Sequence, residues 1–346
     1  MTEMNDTSRP GAERLYPFIY GYVMAQVIGT AVRLGIQEEL ATAARPVAEL
    51  AAAVGADTDA LRRLLRALET LKLVDEVEAD QFALSGIGQH LCRDAPESLH
   101  NSVLFACDPA IWRAWGALEH TVRTGEPAFD HVHGKQLFHY LEDRPELGDI
   151  FSETMSVRAR GFLPKIVASC DFSACGTIVD VGGGDGSLLA AILDANPRAR
   201  GVLFDSAAAV ALAGPLLAEA GVSGRCETRV GDFFTTVPPR ADSYILKNIL
   251  HDWDDGESVT ILRNCRRAVQ PGGRVLVLTQ LQAEDQGSPA AMRTVISDIV
   301  MMVLTHGRER TAGEYEALFD AAGFRLGKMD LVDKRTGYYA LEARPL

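Results

Sequence analysis

The sequence predicts an α/β fold, a parallel sheet with helices on both faces, set behind a helical N-terminal region. Three observations carry this. From about residue 176, short apolar runs alternate with helical segments. A glycine-rich turn, VDVGGGDGS at 179–187, follows the first run and opens a helix. At 346 residues the chain exceeds one typical domain, so a second region belongs before the sheet.

Composition narrows the function. Hydrophobic residues make up 47% of the chain, enough for real cores, and the formal net charge is −13. A nucleic-acid partner would want a basic face, so a small ligand is expected instead. Cys92, Cys107, Cys170, Cys175, Cys226 and Cys265 show no CxxC spacing and read as reduced thiols of a cytoplasmic protein. The opening MTEMNDTSRPGAER has no apolar signal core, and no run of about 18 apolar residues could span a membrane.

In chain order, residues 14–40 are apolar nearly all round at first, which calls for burial on several sides. A second copy of the chain would cover the extra face; packing within its own domain is the alternative. Two helical patterns follow, joined at VGADTDA, where Asp57 or Thr58 can cap the second, and a short strand pair comes after. That is a winged-helix pattern, and Arg62, Arg63 and Arg66 could serve DNA. The same helix buries Leu61, Leu64, Leu65 and Leu68, so the arginines also fit a solvated face. Residues 96–170 read as helical and aromatic, with TGEPAFDHVHG as a loop. Strands are expected at TIVDVG, RGVLFD, ETRVGDFF, DSYILKNIL and GGRVLVLTQL, with a helix running through ESVTILRNCRRAVQPG and a closing hairpin at the C-terminus.

The turn has glycines at 182, 183, 184 and 186, but Ser187 stands where a dinucleotide fingerprint has its third glycine, and no GK[ST] follows. Asp180 and Asp185 would repel a pyrophosphate yet suit a ligand with a sulfonium and an ammonium group. A plain tight turn is the alternative. The next strand ends add Asp205, placed to accept from ribose hydroxyls, then Asp232 and Phe233, an acceptor and a ring for adenine. Gly182, Gly184 and these acids therefore predict S-adenosylmethionine as cofactor. After the fourth strand come Lys247, His251, Asp252, Trp253 and Asp254. A histidine neutral near pH 7 can take a hydroxyl proton; capping the turn is the other reading. Phe105, Trp112, Phe151, Met155, Met301 and Met302, with Asp252, are expected at the acceptor pocket, though each apolar one fits a core equally well. No spacing supports a metal at His306.

The ordered set VDVGGGDGS, FD, GDFF, LKNILHDWDD, PGGRVLVL and GRERTAGEYEALFDAAGF resembles small-molecule O-methyltransferases of the caffeic-acid and acetylserotonin type, whose bacterial members decorate aromatic natural products. The resemblance spans essentially the whole chain. It implies a Rossmann-like class I methyltransferase sheet with an N-terminal helical, winged-helix-like dimerisation domain. The bounds expected are 1–100 for dimerisation, 101–170 for a helical connector and 171–346 for the catalytic domain. By resemblance, Gly182 and its neighbours hold the methionine moiety, Asp205 the ribose, and Asp232 with Phe233 the adenine. Lys247 contacts the cofactor, His251 is the general base, Glu309 orients it, and Met155 meets an aromatic acceptor. Two positions depart from the pattern. Gln280 stands where an acid often faces the histidine, and FDSAAA replaces FDLP. N- or C-methylation, a non-methylating relative and a ligand-sensing regulator remain as alternatives.

Overall fold

The structure, a computed structural model, describes residues 11–282 and 288–346. The polar opening read as lacking a signal lies largely in residues 1–10, outside the described residues. The chain forms two compact units, Met1–Trp112 and Arg113–Leu346.

In the first unit, helices Gly21–Leu34, Ile36–Leu40, Val47–Val54 and Thr58–Thr70 accompany strands β1 (Arg45–Pro46), β2 (Val74–Glu78) and β3 (Gln81–Leu84), ordered β1-β3-β2. Asp57 caps the fourth of these helices, accepting from the Ala60 N–H at 2.8 Å. Its apolar stripe, Leu61, Leu65 and Leu68, is buried with Leu50 and Phe82. Arg62 on the same helix pairs with Asp80 at 2.7 Å and Asp59 at 3.2 Å. The N-terminal apolar segment is not buried within its own chain: Leu15, Tyr16, Phe18, Ile19 and Tyr22 are 57–58% exposed.

The second unit carries seven further strands: β4 (Thr177–Val181), β5 (Arg200–Asp205), β6 (Cys226–Val230), β7 (Ala241–Lys247), β8 (Val269–Gln280), β9 (Phe324–Asp333) and β10 (Tyr338–Pro345). Their order is β6-β5-β4-β7-β8-β10-β9. The first five are parallel and the C-terminal hairpin joins antiparallel, as expected. Strand order turns about β4, between β5 and β7, so the crevice beyond their carboxyl ends is where a parallel sheet receives ligands. Two expectations change. TGEPAFDHVHG is not all loop: a short helix, Ala128–His133, forms between Pro127 and the left-handed Gly134, with Phe129 fully buried. The helix expected through 257–272 ends at Ala268, and β8 starts at Val269, because the residues before Pro271 favour extended backbone. Among the described residues no helix is long and apolar enough to cross a membrane.

Candidate active site

The rim of the sheet is built by close approach. Gly182, Gly184 and Gly186 take φ values of +68°, +59° and +78°, which glycine adopts without strain. A Cβ on Gly182 would stand 2.4 Å from Ile249 and 3.7 Å from the Phe233 ring. One on Gly183 would stand 2.8 Å from the Asp180 carboxyl, whereas beside Gly184 the space is open. Asp180 is 0% exposed, and neither of its oxygens has a hydrogen-bond partner among the described residues. Burial pushes its pKa up to about 7; Lys247 opposes this, while Asp205 and Asp185 add to it. Burial likewise lowers Lys247, against the pull of Asp180 and Asp185.

Asp205 and Asp232 sit at their expected strand ends but already serve the backbone. Asp205 accepts from Gly184 N–H at 2.8 Å and Ser206 N–H at 2.6 Å, which ties the glycine turn to β5. Asp232 accepts from Phe234 N–H at 2.8 Å and the Thr235 hydroxyl at 2.9 Å. Each carboxylate oxygen keeps a second lone pair for a ligand. Asp185 accepts from Ser187 N–H at 3.0 Å and from the Ser156 hydroxyl, next to Met155.

Beyond β7, Asn248 takes φ +54°, a left-handed residue that turns the chain away from the strand. A short 3-10 turn, Leu250–Asp252, then presents His251. Its Nδ1 lies 3.1 Å from Glu309 Oε1, and its Nε2 lies 3.6 Å from Asp252 Oδ1. Glu309, 1% exposed, accepts from the Ser297 hydroxyl at 2.7 Å, and its own N–H donates to Asp298 at 2.9 Å. Burial disfavours the imidazolium, but Asp252 and Glu309 together outweigh it and raise the His251 pKa to about 9. Burial lifts Asp252 to about 6, with His251 opposing; for Glu309, burial is overcome by His251 and Ser297, and the pKa falls. Two flanking acids thus hold the ring's pKa above that of the ordinary imidazole expected from its type alone. Gln280 does not take up the ring: its amide donates to the Thr336 carbonyl at 2.8 Å. Asp252 stands as the second carboxylate instead.

An aromatic line leads away from this turn. Trp253 lies 5.4 Å from Phe138, which meets Phe151 at 6.1 Å; on its other side Trp253 meets Phe233 at 6.0 Å. Met301 and Met302 are half-buried on the helix Pro289–Leu304 that also carries Ser297. His306 pairs with Asp130 at 2.7 Å. Phe105 and Trp112 belong to the first unit. Asn248, Ser297, Asp298 and Arg310 escaped the sequence reading. Ser297 and Asp298 precede Glu309 by about three helical turns of chain, and no local pattern marks them as its partners.

A sheet with a glycine rim, acids at successive strand ends and a histidine between carboxylates defines the class of S-adenosylmethionine-dependent methyltransferases. Comparison narrows the class. The O-methyltransferase domain model matches residues 115–325, and the O-methyltransferase dimerisation domain model matches residues 16–93. An O-demethylpuromycin-O-methyltransferase of Streptomyces alboniger is 40% identical over 96% of this chain and 89% of its own. An 8-amino-8-demethylriboflavin N,N-dimethyltransferase of Streptomyces davaonensis is 36% identical over 91% of both chains. An O-methyltransferase from neocarzinostatin biosynthesis, crystallised with S-adenosylmethionine and 2-hydroxy-5-methyl naphthoic acid, superposes with a TM-score of 0.82 at 30% identity, covering 93% of this chain and 96% of that one. The chain belongs to the O-methyltransferase family of natural-product biosynthesis. It is an S-adenosylmethionine-dependent enzyme with an N-terminal dimerisation domain.

Proposed function

We propose that the enzyme methylates a hydroxyl of an aromatic small molecule, with His251 as general base. The observation that carries this is the placement of one imidazole between two carboxylates, one on each ring nitrogen. Glu309 at Nδ1 holds the ring and leaves Nε2 to receive a hydroxyl proton. Both acids stabilise the imidazolium that results. With a pKa near 9 the base form is a minority at neutral pH, but a strong base. A cation seated at the rim opposes the imidazolium, as Lys247 already does, and enlarges that minority.

When bound, S-adenosylmethionine supplies a methyl group already activated by its sulfonium. The rim fits this group. The unpartnered Asp180 carboxyl and Asp185 suit its cationic end, and the open side of Gly184 admits it. Asp205 keeps lone pairs for ribose hydroxyls, Asp232 keeps them for the adenine amino group, the Phe233 ring packs on the base, and Lys247 contacts the cofactor. Holding donor and acceptor in line is the main task, and the base adds about two to four orders of magnitude. Phe151, Met155, Met301 and Met302, with Asp252 and Trp253, are assigned to the acceptor, since thioethers and rings pack on flat aromatic ligands. A second copy of the chain would cover Leu15–Tyr22, making a homodimer. The six free cysteines suit the reducing cytoplasm.

Incubation with labelled methyl donor and a panel of phenols, hydroxynaphthoates and hydroxyphenazines tests the reading. One methyl gained on oxygen, with release of S-adenosylhomocysteine, is expected. Methylation confined to aryl amines would support the second reading, N-methylation, which the riboflavin-amine relative keeps in view.

A further inference from the structure

Arg310 is among the largest fully buried side chains of the described residues, 0% exposed. Arginine is almost never buried unless its charge is paired and its donors are used. Here Nη1 donates to the Leu250 carbonyl at 2.6 Å and Nη2 to the Trp253 carbonyl at 2.8 Å. Nε and Nη2 also meet the Asp255 carboxylate at 3.0 and 2.8 Å. Leu250 and Trp253 bracket His251 and Asp252, so the guanidinium spans the turn that presents the base. The preceding residue, Glu309, holds the imidazole itself. Two adjacent residues thus grip the turn that carries the histidine, Arg310 by the carbonyls flanking it and Glu309 by its ring. Gly307 completes the fit: a Cβ there would stand 1.8 Å from the His251 carbonyl oxygen, so the loop lies directly on the turn.

We infer that Arg310 is a positioning residue for the methyl transfer, stapling the 250–253 turn so that His251 meets Glu309 and Asp252 at once. Its chemistry is matched to the task. A flat fork of donors can bind two carbonyls and a carboxylate together, which a lysine's single ammonium cannot do in a fixed plane. The inference rests on the general-base reading for its effect on turnover, but not for its effect on the ring.

The test therefore reads both. The charged groups acting on the ring are Glu309, Asp252 and Lys247, so losing the staple loosens the two carboxylates first. In Arg310→Met, the His251 titration followed by imidazole NMR is expected to fall from near 9 toward the ordinary 6.5. Turnover is expected to drop about 10²-fold, the cost of misplacing a reacting group by about 1 Å. Cofactor affinity should hold. An unchanged titration in a folded Arg310→Met variant overturns the inference, whatever happens to turnover. A lowered titration with undiminished turnover upholds the staple and refutes the general base. Should Arg310→Met fail to fold, Asp255→Asn decides. Asp255 is 56% exposed on its side chain, and removing its charge slackens the same fork. A smaller shift in the same direction supports the staple, and none overturns it.

Discussion

Two buried acids stand within the catalytic unit and have opposite histories. Asp180, on β4, lies in the apolar sheet with no partner among the described residues, and burial lifts its pKa to about 7. Glu309 is as deeply buried, but His251 and the Ser297 hydroxyl meet one of its oxygens, and its pKa is held low despite burial. On the proposed reading, the difference separates an acid whose Oε1 already serves the histidine, with Oε2 alone unpaired among the described residues, from one that a cationic ligand would meet. A carboxylate with its partners in place is preorganised machinery, ready before any substrate arrives. A carboxylate left unpaired in the core costs stability until a cation meets it.

Substitutions can sharpen or break that contrast. The largest effect is expected at the histidine that Glu309 serves. His251→Ala should cut turnover about 10²- to 10⁴-fold while calorimetry shows cofactor affinity nearly unchanged. A parallel loss of affinity would merge the two sites that the contrast keeps apart. Glu309→Gln comes next. With one flanking carboxylate gone, the histidine becomes a weaker base, so the acid limb of kcat/KM, expected near pH 9 in the free wild-type enzyme, should move down. Turnover at high pH should fall about 10²-fold, because an amide can favour the wrong tautomer.

Asp180→Asn should act in the opposite sense on stability. Removing an uncompensated buried carboxylate should raise the melting temperature above pH 7, while cofactor affinity weakens about tenfold through loss of a charged hydrogen bond. Below pH 7, titration calorimetry in buffers of different ionisation heat should show proton release when the wild type binds its cationic cofactor, and none in Asp180→Asn. The smallest effect is on the pH dependence of wild-type stability. Both raised groups contribute stability that is complete at low pH and lost as pH rises. For Asp180 the loss runs between 3.8 and about 7; for His251 it runs between 6.5 and about 9. Melting temperatures of the two single variants should each flatten one window and leave the other.

Much of this was legible in the sequence because it is local. The glycine turn, Asp205, Asp232 and His251 each follow an apolar strand, and a parallel sheet delivers strand ends to one rim. Asp57 announced its helix cap by sitting just before an amphipathic pattern. What escaped is what long-range packing decides. Glu309 was set beside His251 by resemblance alone; residue types and spacing read an ordinary imidazole, and only the fold brings the acid, 58 residues on, to 3.1 Å. Gln280 drew attention as a missing acid, yet its amide is spent on Thr336, and the second carboxylate is the histidine's own neighbour, Asp252. No local pattern singles out Arg310 in GRERT, and nothing short of the fold shows its donors filled by the carbonyls of 250 and 253. The apolar face at 15–22 was legible too: its all-round pattern asked for cover beyond its own chain, and the structure leaves it exposed.

The central claim is that an imidazole held between Glu309 and Asp252 takes the acceptor's proton. The most direct measurement is the ratio of wild-type to His251→Ala turnover across phenols of rising acidity at one pH. A ratio that is large for neutral phenols and collapses toward unity for those already ionised in solution is predicted. A ratio that stays constant across the series, or equals unity throughout, would contradict it.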